Sequence, residues 1–382
     1  MLYLSADPGV PVLGHKGASV HLREMVRAFC ACGASVLVCS PRIAPEGDVL
    51  DAPAELAEIP PVLQGADATR DSLLPQMEIQ AEHVAGIARR WGADAIYERY
   101  SLFSHGGVRA ANALGLAHAL EVNSPLREEA RLYRVLPAPS LAAEVEAEVY
   151  GETSRLFAVS PALGARLVAA GVKPRKVEVV PNPVAAERFG RRRRRPAGKL
   201  TVGFAGSLKP WHGIDVLLGA LRLALATAPD ISLEVVGTGP LEGSLRDAEL
   251  PPGALTLHGA LSHRATLARM SGWDAGVAPY LPVPDFYFSP LKVREYMAAG
   301  LCTVASDLGE LGALLGHGRR GIVVPPGDPE ALARALVKLA LDPGLAAKLG
   351  RRARRHVRAL PGWGANARRA LDALGISEAV AA

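Results

Sequence analysis

The 382-residue chain is poor in aromatic residues and cysteine, and it has no long apolar run. Aromatic side chains make up 5% of the residues, so the stacking platforms that bind single-stranded nucleic acid are scarce. No apolar stretch approaches the roughly 18 residues of a membrane-spanning helix. The N-terminus, MLYLSADPG, has neither the basic start nor the apolar core of a signal peptide. We therefore expect a cytoplasmic protein that binds no nucleic acid.

The four cysteines are too few and too irregularly spaced for a zinc site or a C-x-x-C redox motif. They are Cys30, Cys32, Cys39 and Cys302, each in an apolar stretch. Buried free thiols are the expected state of such residues, and a reducing compartment suits them. No metal-ligand cluster is evident, so we expect neither a metal nor another cofactor.

The charge balance is only mildly basic. Lysine and arginine number 43 against 38 acidic residues, for a net charge of +5. Much of the excess lies in two runs, Arg191–Arg195 and Arg351–Arg355. Such a balance suits an anionic small molecule or contact with an acidic membrane surface. The composition, 49% hydrophobic and 21% charged, is that of a globular protein.

A strand–helix rhythm occurs twice along the chain. Leu2–Ser5 and Ser35–Cys39 read as strands around a helix with Ser19 as its N-cap, and this βαβ opening predicts a parallel sheet covered by helices. The rhythm restarts at Leu200. We therefore predict two Rossmann-like, doubly wound α/β domains facing a cleft, with ligands at the carboxyl ends of the strands. The predicted segments are a first domain 1–190, a basic linker 191–199, a second domain 200–363 and a C-terminal helix 364–382 that packs back on the first domain.

Two glycine-containing loops join a strand to a helix. In the first, GHKGAS at 14–19, glycine lets the backbone approach a ligand and the helix dipole favours an anion. It lacks the G-x-G-x-x-G pattern of dinucleotide sites, and a plain tight turn is the alternative. In the second, GSLKPWHG at 206–213, Lys209 and His212 place up to two cations beside backbone N–H groups, as a diphosphate requires. An ordinary surface lysine is the alternative there.

The most informative segment is DFYFSPLKVREYMAAG at 285–300. Ser289-Pro290 predicts a helix start with proline at the first helical position, so that the amides of Ser289 and Leu291 face an anion. Lys292 and Glu295 are three residues apart and share a helix face. A cation beside phosphates and a carboxylate for ribose hydroxyls would suit a nucleotide sugar. A surface ion pair is the alternative.

With VVGTGPL, HGALSH, GIVVPPGDPEALA, the Pro181-Asn182 pair and LGHKGASVH, these segments resemble the retaining nucleotide-sugar glycosyltransferases of family 4, which have the GT-B fold. The likeness covers nearly the whole chain and is densest from 202 to 342. It implies transfer of a sugar from a nucleotide diphosphate sugar to a hydroxyl acceptor with retention. The leaving phosphate would take the acceptor proton, without a metal.

The resemblance also implies roles for individual residues. Lys209 would hold the donor diphosphate, with His212 where many members have lysine, and Glu295 would bind the ribose. With Asn123, Lys209 and His212 form the expected catalytic set. The expected donor-binding residues are Gly17, Gly206, Ser207, Lys209, Gly237, Leu261, Ser289, Pro290, Leu291, Lys292 and Glu295.

Two positions depart from the family pattern. Tyr287, with Asp285 nearby, stands where many members have a first glutamate, so the sugar contacts of that carboxylate stay open. Asn123 stands where many members have a histidine. The expected acceptor-binding residues are Lys16, His21, Arg99, Asn123 and Arg127, with ordinary surface or capping roles as the alternative for each.

Other functions remain open at this stage. A GT-B epimerase or phosphorylase would keep the fold and change the reaction. A non-catalytic protein is another alternative. It would bind a nucleotide sugar without turnover, or bind an anionic surface through its arginine runs. The sequence does not specify the nucleobase, the sugar, the oligomeric state or the acceptor, which ranges from an aminocyclitol or other natural product to a lipid or polysaccharide precursor.

Overall fold

The computed structural model describes residues 1–44, 48–190, 199–283 and 286–376. The arginine run at 191–195, nearly all of the expected linker, Asp285 and the end of the C-terminal segment lie outside the described residues.

The N-terminal lobe is a parallel sheet with helices on both faces. Within the described residues its seven strands lie in the order β3-β2-β1-β4-β5-β6-β7, all neighbours parallel. The strands are β1 Leu2–Ser5, β2 Leu37–Ser40, β3 Glu55–Glu58, β4 Ala95–Arg99, β5 Ala117–Val122, β6 Arg155–Ala158 and β7 Val177–Val179. The helices are α1 Gly17–Ala31, α2 Arg70–Trp91, α3 Gly106–Leu114, α4 Leu126–Tyr133, α5 Pro139–Glu152 and α6 Pro161–Ala169, with short 3-10 turns at Pro174–Lys176 and Ala186–Arg188.

The C-terminal lobe repeats this plan with one strand fewer among the described residues. Its order is β10-β9-β8-β11-β12-β13, again parallel. The strands are β8 Leu200–Ala205, β9 Ile231–Val236, β10 Leu255–Leu257, β11 Ala275–Ala278, β12 Cys302–Ser306 and β13 Gly321–Val324. The helices are α7 Ile214–Leu225, α8 Glu242–Arg246, α9 His263–Met270, α10 Leu291–Ala299, α11 Leu311–Leu314, α12 Pro329–Leu341, α13 Pro343–Arg358 and α14 Trp363–Ala373, and Pro210–His212 forms a 3-10 turn.

The central strands are apolar because helices cover both faces of each sheet. Every residue of β1, β8 and β12 is buried. Glycine is required where a large ring crosses a strand: a Cβ on Gly203 would lie 1.9 Å from the Trp273 ring. In both lobes the sheet order reverses beside the first strand, which opens a crevice at the carboxyl ends, where open α/β sheets bind ligands.

The structure corrects three predicted boundaries. Helix α1 begins at Gly17 with Lys16 as its N-cap, so Ser19 lies inside the helix, where its hydroxyl is buried without a hydrogen-bond partner. Pro290 is the N-cap of α10, in an extended conformation, rather than its first helical residue. Strand β2 begins at Leu37 instead of Ser35.

The last helix of the described chain returns to the first lobe. Trp363, Ala367 and Leu371 of α14 share an apolar core with Val26 and Phe29 of α1. The aliphatic and aromatic face of α14 is therefore buried by the N-terminal lobe, although this helix follows the whole C-terminal lobe in sequence.

Candidate donor site and the cleft between the lobes

The loops after β8 and β9 are built from glycines that no other residue could replace. Gly206, Gly237 and Gly239 have φ values of 148°, 132° and 159°, in the region that L-residues rarely adopt. A Cβ on Gly237 would lie 2.0 Å from the Gly206 carbonyl oxygen. The two loops thus pack backbone against backbone at the carboxyl end of the sheet, which leaves peptide groups rather than side chains to meet a ligand.

The Lys292 ammonium lies directly behind Gly206. A Cβ on that glycine would be 2.7 Å from Lys292 Nζ. The Nζ is buried without a hydrogen-bond partner, and it lies 4.2 Å and 5.3 Å from the ring centroids of Phe204 and Tyr280. Burial lowers the pKa of Lys292 to about 7, against the opposing influence of Glu295. An anion at this loop would supply the hydrogen-bond partner that Nζ lacks.

The second expected cation, His212, is neutral in this structure. Burial and the nearby Lys292 lower the pKa of His212 to about 3. Its Nδ1 makes a short contact with the Ser207 carbonyl oxygen, to which it donates its hydrogen, and its ring packs against Tyr280. Burial and the neighbouring Lys292 therefore disfavour the charged form of this ring in the ligand-free protein. Lys209 Nζ, by contrast, lies 5.8 Å from the Trp211 ring at the half-exposed edge of the same loop.

The loop before α10 brings Ser289, Pro290 and Leu291 to the same edge. Helix α10 starts at Leu291, so the N–H groups of its first turn lack carbonyl partners within the helix and suit an anion. Lys292 and Glu295 both follow in this helix, and Glu295 points to a different neighbour from Lys292. Its Oε1 lies 2.7 Å from His263 Nε2, with both side chains largely buried.

Residues that the sequence analysis missed connect Glu295 to the N-terminal lobe. The backbone N–H of His263, at the start of α9, donates to Asp48 Oδ2 over 3.1 Å. The same Asp48 oxygen accepts a hydrogen bond of 2.8 Å from Arg23, whose guanidinium also binds the Val12 and Gly14 carbonyls. His263 lies in the HGALSH motif, but no spacing in the sequence indicates its pairing with Glu295 or Asp48.

On the N-terminal lobe, three expected acceptor residues converge on one buried carboxylate, Glu121. His21 Nε2 and Arg99 Nη1 lie 3.3 Å and 3.4 Å from Glu121 Oε1. Asn123 makes a short contact with the same oxygen, and the Tyr97 hydroxyl donates to Oε2 over 2.5 Å.

The charge in this cluster resides on Glu121 and Arg99. Burial alone would raise the pKa of Glu121, but His21, Arg99 and the hydrogen bonds from Tyr97 and Asn123 lower it. Burial lowers the pKa of His21 to about 4, so this ring is neutral near pH 7. Glu121 therefore fixes the positions of His21, Arg99 and Asn123.

The other expected residues lie apart from Glu121. Lys16 Nζ donates to the Gly9 carbonyl, and Arg127 pairs with Glu146 at 2.9 Å. Gly17 opens α1. Leu261 follows β10 and packs against the core of the second lobe.

Tyr287, which stands where many family members have a glutamate, faces the opposite lobe. Its hydroxyl donates to Glu129 of α4 in a short contact, and the end of the same helix places Tyr133 5.3 Å from the Trp211 ring. Helix α4 therefore lies across the cleft from both donor-side loops.

The described ranges hold neither a membrane-spanning helix nor a cluster of metal ligands. None of their helices could serve as a membrane span, because each is too short or too polar. Groups of three or more His, Cys, Asp or Glu side chains able to share a metal ion are absent from the described residues.

Comparisons with known proteins agree with this architecture. Residues 15–188 match the family model described as Glycosyltransferase Family 4, and residues 199–342 match Glycosyl transferases group 1. A D-inositol 3-phosphate glycosyltransferase from Streptomyces avermitilis is 29% identical over 306 residues, 73% of this chain but only 65% of that relative. The chain thus matches slightly less than two thirds of that relative's length.

Solved structures share the fold along the full chain. Sucrose-phosphate synthase from Thermosynechococcus elongatus superposes with a TM-score of 0.75, 21% identity and 97% coverage of both chains. HepE from Anabaena, solved with UDP and glucose, superposes with a TM-score of 0.72, 18% identity and 98% coverage of both. Two doubly wound lobes with glycine loops facing one cleft define a GT-B glycosyltransferase fold. The chain thus carries a Glycosyltransferase Family 4 domain in its first lobe and a Glycosyl transferases group 1 domain in its second.

Proposed function

We propose that this protein is a retaining glycosyltransferase that moves a sugar from a nucleotide diphosphate sugar to a hydroxyl acceptor. The observation that carries the proposal is Lys292, a buried lysine whose Nζ has no hydrogen-bond partner among the described residues. It lies between the Gly206 loop and the N-terminus of α10. A diphosphate there would meet the ammonium, loop N–H groups and a helix N-terminus together.

The same arrangement supports a catalytic role for the donor side. Negative charge grows on the diphosphate as the sugar departs, and fixed cations and N–H groups stabilise that charge in a water-poor site. Lys209 and Lys292 supply the cations, and Ser289 to Leu291 supply the loop. The leaving phosphate would take the proton of the acceptor hydroxyl, with Asn123, Arg99 and His21 on the acceptor side. Glu295 would receive the ribose hydroxyls while His263 holds one of its carboxylate oxygens.

Similar proteins support the choice of substrates. The HepE structure holds UDP and glucose, and the Streptomyces relative is named for D-inositol 3-phosphate. We accordingly propose a nucleotide-sugar donor and a hydroxyl-bearing small molecule or lipid precursor as acceptor, with peripheral membrane contact and no nucleic acid partner. We also propose a cytoplasmic location, since all four cysteines are free thiols and suit a reducing compartment.

A thermal-shift panel of UDP-, GDP-, ADP- and dTDP-glucose tests donor binding. At about 100 times its Kd, a ligand adds about 2.7 kcal/mol to the free energy of unfolding, which gives a clear rise in Tm for one member. The matched control is Lys292→Met, which should lose most of that rise. No response to any nucleotide sugar in the wild-type protein would contradict the proposed donor site.

Product analysis separates the alternative activities. With the selected donor and an acceptor library, NMR of the product should show the anomeric configuration of the donor retained. An altered nucleotide sugar formed from the donor alone would indicate an epimerase, and binding without any turnover would indicate a non-catalytic protein. Activity lost in EDTA and restored by a divalent ion would contradict the proposed metal independence.

A further inference from the structure

The N-terminal lobe contacts the loop that leads into α10 at two alternate residues. The Asn182 backbone N–H donates to Ser289 Oγ over 3.0 Å, and Asn182 Nδ2 donates to the Ser289 carbonyl over 2.9 Å. Both residues are buried, at 8% and 9% exposure. These two hydrogen bonds join residues 107 positions apart. They link the N-terminal lobe to the expected phosphate-binding loop.

A second contact lies two residues earlier in the same loop. Ser160 Oγ donates to the Tyr287 carbonyl over 2.7 Å and also accepts from the Leu163 N–H at the start of α6. Ser160 follows β6, and Asn182 follows β7, the neighbouring strand. The carboxyl ends of two adjacent strands in one lobe therefore hold the carbonyls of Tyr287 and Ser289 in the other.

The peptide that joins Ser289 to Pro290 can form a backbone hydrogen bond only through its carbonyl. Pro290 has no N–H, so the peptide after Ser289 cannot donate to a neighbouring loop. The orientation of this peptide therefore depends on the group that donates to the Ser289 carbonyl, which is Asn182 Nδ2. A rotation of this peptide would move the first turn of α10, which carries Lys292 and Glu295.

We propose that Asn182 and Ser160 are positioning residues by which the N-terminal lobe sets the geometry of the loop that leads into α10, the expected phosphate-binding loop. This inference rests on the proposed function for its consequence in binding. It predicts that donor affinity depends on side chains that touch no donor atom and that lie in the opposite lobe.

The test compares Asn182→Ala with Asn366→Ala in the full chain. Asn366 is a matched control because it is equally buried, at 8% exposure, and donates its hydrogen bond to the Pro181 carbonyl, next to Asn182, rather than to the loop. Calorimetric titration with UDP, GDP, ADP and dTDP should show about tenfold weaker binding of the best ligand to the Asn182 variant, as expected for one lost buried hydrogen bond. The Asn366 variant should bind within twofold of wild type, even if its denaturation midpoint falls as far as that of the Asn182 variant.

A ligand-free measurement keeps this inference separate from the proposed function. Hydrogen exchange followed by mass spectrometry should show the 286–292 segment exchanging about tenfold faster in the Asn182 variant than in wild type, but unchanged in the Asn366 variant. Ser160→Ala should produce the same local change. Equal exchange of this segment in all variants would overturn the inference. Faster exchange in a protein that binds none of the four nucleotides would support it while refuting the proposed donor.

Discussion

Binding of a diphosphate at the proposed donor site should consume a proton, because Lys292 is only about half charged at pH 7 in the free protein. Burial lowers the pKa of Lys292 to about 7 from its ordinary 10.5. A bound diphosphate supplies a counter-charge, which returns the lysine toward its ordinary pKa. The charged form is therefore favoured in the complex, and raising the pH above 7 must weaken binding.

The size of the effect follows from linkage between protonation and binding. The free pKa is about 7. If binding restores the ordinary lysine pKa of about 10.5, the affinity should fall about fivefold from pH 7 to pH 8 and about ninefold from pH 8 to pH 9. Between pH 7 and pH 9 the loss is roughly fiftyfold, or about 2.3 kcal/mol. At pH 8 the complex should take up about 0.9 proton, since about a tenth of the free lysines are charged at that pH.

Isothermal titration calorimetry measures both quantities. The nucleotide sugar selected by the panel is titrated at pH 7, 8 and 9 and constant ionic strength, in buffers of different ionisation enthalpy. A nucleotide sugar is the right probe because its diphosphate has no proton to lose in this range. Lys292→Met should bind weakly with a flat pH profile. A wild-type affinity that stays constant from pH 7 to pH 9 would refute the assignment of Lys292 as the buried donor cation.

Further variants probe the remaining parts of the site. Lys292→Met should stabilise the ligand-free protein at pH 7 by a few kcal/mol, on the order of 4. The lowered pKa of Lys292 reduces the free energy of unfolding of the wild type at every pH below about 10.5. The stability gained by Lys292→Met in urea denaturation should therefore vanish as the pH approaches about 10.5. Lys209→Ala should lower kcat by about two to three orders of magnitude with unchanged circular dichroism, and near-normal turnover would remove Lys209 from the mechanism. Glu121→Gln should lower the free energy of unfolding by about 3 kcal/mol, because Arg99 loses its buried partner. This loss should shrink at low pH, where Glu121 of the wild type becomes protonated. His263→Ala should weaken donor binding about tenfold by freeing Glu295 to rotate, and unchanged affinity would show that Glu295 needs no such support.

Local patterns in the chain were enough to predict the architecture and the positions of the glycine loops after β8 and β9. Short apolar runs separated by helical periods indicate parallel strands, because strands covered on both faces must be apolar along their whole length. Glycines after a strand indicate loops that expose backbone, and these loops, at Gly206 and Gly237, lie together at the carboxyl ends of β8 and β9. These signals are readable because each depends on residues close in sequence.

The charge states and partners of the site depend on the tertiary structure. His212 reads as a cation in the sequence, yet burial and Lys292, which lies 80 residues further along the chain, lower its pKa to about 3. The convergence of His21, Arg99 and Asn123 on Glu121, and the grip of Asn182 on Ser289, join residues that are far apart in the chain. Such contacts arise from the packing of strands and lobes, and burial then sets the pKa values, so neither is encoded in any local pattern of residues.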